Sequence, residues 1–308
     1  MKLSFITCTY NRSEFLSKNI ESVLKQNFKN FEHYVIDDGS TDNTAMVIKK
    51  YKHIKYIKLS RNHGQPGAMF YSKVLKKVNG DYIMLLDSDD YLLPNIKKII
   101  ETIIAKNKDV WSMSFNILSK NRKKLNFKKE KVIKSKCLYH DNHPRYNNGE
   151  GYLDFIDIKK KIFYKQFVKY FRSPKYWYSS AIDVFFNNDF KEIFLNKKIA
   201  YYSFDTDNVT KGHNLVKYAP ITLHTRQYVF NKFNNFMEKK YYDYHLKSLI
   251  MNQLIFPGYK IKNFKLIYKE KKNFVNYRNY YMFLILLLFP SKFLFFLKKI
   301  FKKYRLNR

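Results

Sequence analysis

Hydrophobic and polar positions follow two alternating periods over the first 110 residues. Short apolar runs have the length of buried strands, and each is followed by apolar residues spaced three or four apart, as on one face of a helix. The predicted strands are Leu3–Thr7, Phe31–Ile36, Ile54–Leu59 and Tyr82–Leu86. Strands that alternate with helices predict an α/β fold with a doubly wound, mostly parallel sheet.

The stretches between these strands carry helix-start signals. Ser13 precedes an amphipathic stretch and is predicted to cap it, and the turn formers of Asp37–Thr44 precede a second stretch that runs to Tyr51. Helices are also predicted over Gly67–Val78 and over Pro94–Ala105, where the proline occupies the first turn. Each helix therefore connects two strands, as a parallel sheet requires.

Beyond residue 110 the pattern is weaker. Trp111–Leu118 is predicted to be a further strand, and the basic segment Lys120–Lys136 a solvated hairpin or loop. Helical spacing is found over Tyr152–Phe171 and over Ala181–Phe194. These elements are expected to continue the first fold without an intervening linker.

Polar residues cluster where three of the predicted strands end. The clusters are Thr9–Arg12, Asp37–Asp42 and Asp87–Asp90. Ligands of doubly wound sheets bind beyond the carboxyl ends of the strands, so the three clusters predict one site.

The acidic cluster Asp87–Asp90 indicates a divalent cation. Three neighbouring carboxylates repel one another unless a cation is present, and an oxygen-rich site suits Mg²⁺ or Mn²⁺, which also bridge two phosphates. The alternative is an acidic turn that caps the helix predicted from Pro94.

The cluster that begins at Asp37 indicates a nucleotide. A carboxylate here can accept a hydrogen bond from a nucleobase N–H, and Gly39 permits a close backbone approach. The alternative is an ordinary strand-to-helix turn.

Together and in this order, the segments Leu3–Arg12, Val35–Asp42 and Gly80–Asp90 resemble the nucleotide-sugar half of family 2 glycosyltransferases. The resemblance is close over residues 1–115 and looser over the next hundred. It implies an inverting enzyme with the GT-A fold, which is a Rossmann-like sheet. We expect a nucleotide-sugar half at 1–115, an acceptor-binding half at 116–225 and a helical, basic, membrane-associating extension at 226–308.

The resemblance also implies roles for individual residues. Thr9 and Tyr10 would border the donor nucleoside, and Asp38 would contact its base. Asp87 and Asp89 would form the DxD pair of the family, with Asp89 nearest the metal and Asp87 toward the ribose and the metal. The implied cofactor is Mn²⁺ or Mg²⁺.

Two positions depart from the family pattern. Cys8 stands where many members have proline, and we interpret it as structural. Tyr71–Ser72 stands where many members have an Arg-Asn pair whose arginine lies near the diphosphate. The candidates to replace that arginine are Arg61, His63 and Lys73.

The resemblance further implies a general base in the second half. Family members place an Asp or Glu about 25 residues before a Tyr-rich strand and a polar Ser-Val-Thr-like segment, to which Tyr201–Phe204 and Asp207–Thr210 are similar here. Counting back leads to Asp183, which opens the predicted helical run, as the candidate catalytic base. The other candidates are Asp157, Asp154 and Glu150.

The charge of the chain is unevenly distributed. The net charge is +34 over 308 residues, yet the first 110 residues hold 18 basic and 12 acidic residues, and 15 basic residues with one acid follow Asp243. Part of the lysine excess fits a compositional bias, and the rest predicts an anionic partner. A nucleic-acid-binding protein and a nucleotidylyltransferase are the alternative functions, but the candidate site is acidic and no basic Gly-rich phosphate loop follows Cys8.

The C-terminal segment pairs apolar residues with cations. Tyr280–Phe289 is apolar, but ten helical residues span about 15 Å of a roughly 30 Å hydrocarbon core. The cationic end, Lys298–Arg308, suits anionic headgroups. We expect a helix at the interface of an anionic membrane, with a core helix and a true membrane span as the alternatives.

These features define the expected function. A sugar moves from a nucleoside-diphosphate sugar, most often UDP-linked, to a hydroxyl of a cell-surface glycan or a polyprenyl-diphosphate-linked acceptor, and nucleic acid is not an expected partner. Cys8 and Cys137 are the only cysteines and no signal peptide is evident. The expected location is the cytoplasm, with peripheral attachment to the cytoplasmic face of the plasma membrane.

Overall fold

A computed structural model describes residues 1–107, 112–118, 131–135, 153–157, 190–203 and 277–290, with single positions at 246, 250, 268, 293 and 294. The chain divides into two compact units, Met1–Thr206 and Asp207–Arg308. The three-part division at residues 115 and 225 stays a prediction.

The first unit consists of nine described strands and five described helices. The strands are β1 (Leu3–Thr9), β2 (Phe31–Asp37), β3 (Ile54–Lys58), β4 (Tyr82–Leu85), β5 (Tyr91–Leu92), β6 (Ser112–Leu118), β7 (Lys131–Ser135), β8 (Leu153–Asp157) and β9 (Phe190–Tyr201). The helices are α1 (Ser13–Leu24), α2 (Thr44–Lys49), α3 (Gly64–Tyr71), α4 (Val74–Lys77) and α5 (Ile96–Lys106).

The strands form one mixed sheet in the order β3-β2-β1-β4-β8-β6-β9-β5. The first four strands are parallel, β6 and β9 are parallel to each other, and β8 runs antiparallel between β4 and β6. β5 and β7 pair antiparallel with opposite ends of β9. The predicted α/β fold with a mostly parallel sheet is confirmed.

The parallel part of the sheet is stabilised by apolar packing. Phe5 of β1 is fully buried among residues of β4, α5 and β6. Leu16 and Ile20 of α1 pack with Val35 of β2 in a second cluster. Full burial of one such side chain stabilises the fold by about 1.5–3 kcal/mol, so the helical spacing of the apolar residues in α1 fixes which face meets the sheet.

Two predicted helices differ from the structure at their ends. The helix predicted over residues 67–78 begins earlier, at Gly64, and is divided into α3 and α4 by Lys73, whose φ is 53°. The helix predicted from Pro94 begins at Ile96, because Asn95 has a left-handed φ of 62°. In both places a residue with positive φ interrupts the helical hydrogen bonds.

Two predictions beyond residue 110 were wrong in part. The helical spacing over 152–171 overlaps strand β8, and the spacing over 181–194 overlaps the start of β9. The basic segment predicted as a hairpin or loop contains strand β7, which pairs with β9. Short aromatic-rich runs fit both periods, and pairing with neighbouring strands selects the extended form. The other residues of these segments lie outside the described residues.

The second unit contains helix α6 (Tyr277–Leu286), which overlaps the predicted apolar helix. Phe283 is buried, whereas Tyr281, Ile285 and Leu288 expose 56%, 56% and 81% of their surfaces. Within the described parts of the chain, no helix combines the length and apolar character that crossing a bilayer requires. Most of the predicted extension at 226–308 lies outside the described residues.

Candidate active site

The three predicted polar clusters meet at one edge of the sheet. β1 lies between β2 and β4, and Thr9 at the end of β1 pairs with Asp37 at the end of β2. The backbone N–H of Asp38 donates to the Thr9 carbonyl at 2.9 Å. On the other side of β1, the Leu86 N–H donates to the Ile6 carbonyl at 3.0 Å, directly before the acidic cluster.

Asp38 is held beside the start of α3. It is 3% exposed, and both of its carboxylate oxygens lie 3.0 Å from the backbone N–H of His63. Gly39 has a φ of +77°, and an added Cβ would lie 2.6 Å from backbone atoms of Arg61. A side chain at residue 39 would therefore push away the segment that orients Asp38.

Asp37, the neighbour of Asp38, has a structural role. Its carboxylate accepts hydrogen bonds from the Ser40 N–H and the Tyr56 hydroxyl, both at 2.8 Å. Burial raises the pKa of Tyr56, and the Asp37 carboxylate raises it further. Asp37 therefore fixes the turn, and Asp38 remains the candidate ligand-binding carboxylate.

Asp87, the first residue of the acidic cluster, is exposed at the end of the strand that contains β4. Desolvation of the carboxylate by surrounding protein atoms and the negative charge of the nearby Asp89 raise the pKa of Asp87 to about 6. A 3.0 Å hydrogen bond from the Gln65 side-chain amide partly opposes this shift. Asp90 is buried and accepts a 2.9 Å hydrogen bond from the Ser203 N–H. Burial and the Asp87 charge raise the pKa of Asp90. The cluster thus carries excess negative charge that a cation would neutralise.

Three buried polar side chains, on α1 and directly after it, hold the segment that follows β4. They are Asn19, Ser22 and Gln26. The Asn19 side-chain amide donates to the carbonyls of Asp87 and Asp90 at 2.9 and 2.8 Å. The Ser22 hydroxyl accepts the Leu92 N–H at 2.9 Å. Two residues beyond the end of α1, the Gln26 side chain accepts the Ile96 N–H at 3.0 Å and donates to the Leu93 carbonyl at 2.8 Å.

Gln65 and these three buried polar side chains were not among the predicted site residues. Asn19, Ser22 and Gln26 are spaced three and four residues apart, along the buried face of α1 and its continuation. Buried polar side chains at helical spacing need hydrogen-bond partners, and that signal was available in the sequence. Gln65 carried no comparable signal, because its partner Asp87 is 22 residues away.

The residues at the end of β1 line the same edge. Thr9 is 3% exposed, and its Oγ1 has no hydrogen-bond partner among the described residues. Tyr10, the next residue, is 40% exposed. Burial raises the pKa of the Cys8 thiol, and the charges of Asp87 and Asp38 raise it further. The thiol is therefore neutral and a poor nucleophile, which fits its interpretation as structural.

The candidate replacements for the family arginine are separated by α3. Arg61 and His63 precede this helix and lie near Asp38, whereas Lys73 follows it. The eight residues of α3 correspond to about 12 Å of helix, which takes Lys73 away from the site edge.

The candidate bases fall on different parts of the chain. Asp183 and Glu150 lie outside the described residues. Asp157 pairs with Tyr82 at the start of β4, the end of this strand opposite to the acidic cluster. Asp154 pairs with Ser114 of β6. Among the described residues, no three His, Cys, Asp or Glu side chains converge to hold a metal ion.

Residues 4–183 match the family model described as Glycosyl transferase family 2. The chain belongs to this family. The match covers more than half of the chain and includes all three site segments of this family 2 protein. The family membership expected from the resemblance is confirmed.

Two curated relatives of this family 2 protein each match about a third of the chain. The poly(ribitol-phosphate) β-N-acetylglucosaminyltransferase TarS of Staphylococcus aureus is 37% identical over 97 residues, 30% of this chain and 17% of TarS. The Escherichia coli UDP-Glc:α-D-GlcNAc-diphosphoundecaprenol β-1,3-glucosyltransferase WfaP is 38% identical over 89 residues, 29% of this chain and 36% of WfaP. The matched region is thus a minor part of either relative.

Solved structures support the same fold over most of the chain. A crystal structure of S. aureus TarS in complex with UDP-GlcNAc has a TM-score of 0.56 at 18% identity, covering 90% of this chain and 79% of that one. The mannosyltransferase PcManGT of Pyrobaculum calidifontis, in complex with GDP-Man and Mn²⁺, has a TM-score of 0.56 at 10% identity, covering 98% and 87%. These similarities are consistent with the expected GT-A fold.

Proposed function

We propose that this protein is an inverting, divalent-metal-dependent glycosyltransferase. It transfers a sugar from a nucleoside-diphosphate sugar, namely a UDP-sugar, to a hydroxyl of a cell-surface glycan or a lipid-linked oligosaccharide. The observation that carries the proposal is the meeting of Asp38 and the acidic cluster Asp87–Asp90 on either side of β1 in a family 2 domain. The names of TarS and WfaP, and the UDP-GlcNAc complex of TarS, favour a UDP-linked donor.

The donor nucleoside would lie against the ends of β1 and β2. The Asp38 carboxylate is held by the His63 N–H and retains lone pairs that can accept a hydrogen bond from a nucleobase. The unpaired Oγ1 of Thr9 can form a hydrogen bond with the nucleoside, and the exposed ring of Tyr10 can stack on it.

The donor set fits Mn²⁺ or Mg²⁺. Mg²⁺ is commonly bound by one or two carboxylates together with substrate phosphates, and Asp87 and Asp89 supply two carboxylates. Desolvation and repulsion from Asp89 raise the pKa of Asp87, and a bound cation would offset both effects. When bound, the ion would stabilise the charge that develops on the leaving diphosphate. The Gln65 side-chain amide would orient the Asp87 carboxylate toward it.

Inversion requires a base on the acceptor side of the anomeric carbon. Asp183 would accept the proton of the acceptor hydroxyl while the oxygen attacks the anomeric carbon and the bond to the nucleoside diphosphate breaks. Asp154 is the alternative, since Asp157 pairs at the far end of β4.

The acceptor would be presented at the cytoplasmic face of the plasma membrane. The exposed apolar side chains at the C-terminal end of α6, namely Ile285 and, in the turn that follows the helix, Leu288, would insert shallowly into the bilayer surface. This peripheral attachment fits a polyprenyl-diphosphate-linked acceptor, the class of acceptor that the name of WfaP describes for that enzyme.

A panel of nucleotide sugars tests the proposal. The full chain is incubated with each donor and Mn²⁺ or Mg²⁺, with and without membrane lipid extract, and release of nucleoside diphosphate is measured. We expect release from one donor class, stimulated by the extract and abolished by Asp183→Asn, which should still bind nucleotide. Near-normal turnover of Asp183→Asn would exclude Asp183 as the base, and release from no donor would contradict the proposal.

A further inference from the structure

A groove of about 860 Å³ lies between the residues that directly follow α1, helix α5 and strand β9, and its described lining contains none of the proposed active-site residues. Its volume is in the range of small-molecule sites. Its apolar lining comes from α5 and β9, namely Ile99, Ile103, Ile193 and Leu195. Five lysines surround this lining, namely Lys25, Lys97, Lys98, Lys106 and Lys197.

The groove lies at the C-terminal end of α1, whereas the acidic cluster is held by Asn19 in the middle of this helix. This helix begins directly after the end of β1, where the proposed donor site lies, and Lys25 caps its other end. Its 12 residues correspond to about 18 Å. A ligand in the groove would therefore leave the donor site free.

Most lysines of the groove form no ion pair with an Asp or Glu among the described residues. The described residues that line the groove include no Asp or Glu. Lys97 donates to the Asn27 carbonyl, and Lys25 forms an exposed ion pair with Glu21 at 3.4 Å, a type of pair that contributes little. Among the described residues, no ion pair involves Lys98, Lys106 or Lys197.

We propose that this groove docks the protein onto an anionic membrane by holding the phosphate headgroup of an acidic phospholipid. The lysine ammonium groups would contact the phosphate, and the isoleucine side chains would contact the first methylenes of the lipid chains. The lysines suit the anionic phosphate, and the apolar lining suits the hydrocarbon chains. A phospholipid, which combines both, therefore fits the groove better than a free anion or a purely apolar molecule. The inference rests on the proposed action at a membrane, and it adds a docking surface in the first unit.

Vesicle binding of the full chain tests the groove. Sedimentation is measured with phosphatidylcholine vesicles, with and without phosphatidylglycerol, in the absence of nucleotide and metal. The groove variant combines Lys98→Gln, Lys106→Gln and Lys197→Gln. The matched control combines Lys49→Gln, Lys50→Gln and Lys52→Gln, which removes the same charge from exposed positions outside the groove.

We expect the groove variant to lose roughly a hundredfold in binding to phosphatidylglycerol vesicles, since each lysine near an anionic surface contributes on the order of fivefold. The control should lose much less, and circular dichroism should show both variants folded. Equal losses in the two variants, or wild-type binding by the groove variant, would overturn the inference. The vesicle experiment contains no sugar donor, so a negative result there would contradict the groove inference but not the proposed transfer reaction. A negative result in the nucleotide-sugar panel would contradict the transfer reaction but not vesicle binding.

Discussion

Asn19 and Asp90 are joined by a buried 2.8 Å hydrogen bond, from the side-chain amide of one to the carbonyl of the other. The same amide donates to the Asp87 carbonyl at 2.9 Å. One side chain of α1 therefore holds both ends of the acidic cluster that follows β4. The position of this cluster depends on the helix as well as on its own strand.

Replacing Asn19 with alanine should loosen the acidic cluster. Two carbonyls lose their donor, and a buried unsatisfied polar group costs about 1–3 kcal/mol, so we expect the free energy of unfolding to fall by about 2 kcal/mol. Thermal and urea unfolding measure this loss. Ser17→Ala on the same helix is the control, and an equal effect of the two changes would contradict the role of Asn19.

Gln65 should influence the metal more than the stability of the fold. Its amide contacts the Asp87 carboxylate at 3.0 Å from a partly exposed position. We expect Gln65→Ala to raise the Mn²⁺ concentration needed for half-maximal activity by about threefold to tenfold, the effect of a typical net hydrogen bond of about 0.7–1.4 kcal/mol at a partly exposed site. Thermal unfolding should change little.

Metal titrations of wild type, Gln65→Ala and Gln65→Glu check this role. A second carboxylate in Gln65→Glu removes the hydrogen bond and adds repulsion to Asp87, so its metal dependence should differ from that of the alanine variant. An unchanged metal dependence in both variants would exclude the positioning role.

Glu32 should make the stability of the fold depend on pH. Burial raises the pKa of its carboxyl, but hydrogen bonds from Lys55, Ser4 and the Asn79 N–H together outweigh burial and bring the pKa to about 2. A lowered folded-state pKa contributes stability above the unfolded pKa. That contribution should disappear as pH falls from about 4.5 to about 2.

Glu32→Gln isolates this contribution. The free energy of unfolding of the variant should be about 2 kcal/mol lower than that of wild type at neutral pH, as expected for hydrogen bonds to a charged group. This gap between the two proteins should become smaller on acidification. Denaturant unfolding across this pH range measures the gap. A gap that is constant with pH would show that the Glu32 charge is not its source.

The exposed apolar side chains in the last turn of α6 and directly after it should contribute to membrane binding independently of charge. Ile285→Ser combined with Leu288→Ser removes two exposed apolar side chains, so partition onto phosphatidylcholine vesicles should fall at least about tenfold. High salt should not change this difference, whereas it should weaken binding through the lysine groove. Met46→Ser, a change at another exposed apolar residue, is the control, and equal effects would contradict the assignment to α6.

The sequence predicted the parallel half of the fold well. Apolar runs such as Leu3–Thr7 have neighbours close in the chain, and the polar residues at their ends follow from strand direction. The antiparallel strands were harder to predict, because β8 and β9 are defined by partners far away in sequence, such as Tyr82 and Ser112.

The candidate site was predictable to a similar extent. Asp38, Asp87 and Asp89 stand in recognisable motifs next to strands. The hydrogen bonds from Gln65 and from the His63 backbone depend on where α3 begins, and the positive φ of Gly64 that sets this start was not evident from the helical spacing.

Transfer by Asp89→Asn with the donor selected from the panel tests the central claim most directly. The account predicts that wild type releases nucleoside diphosphate only with Mn²⁺ or Mg²⁺ and acceptor. It predicts that Asp89→Asn, while remaining folded, loses at least about a hundredfold in kcat/KM, as expected when a charge-stabilising group is removed. Near-wild-type transfer by Asp89→Asn, or full activity of wild type after metal removal with EDTA, would contradict the account.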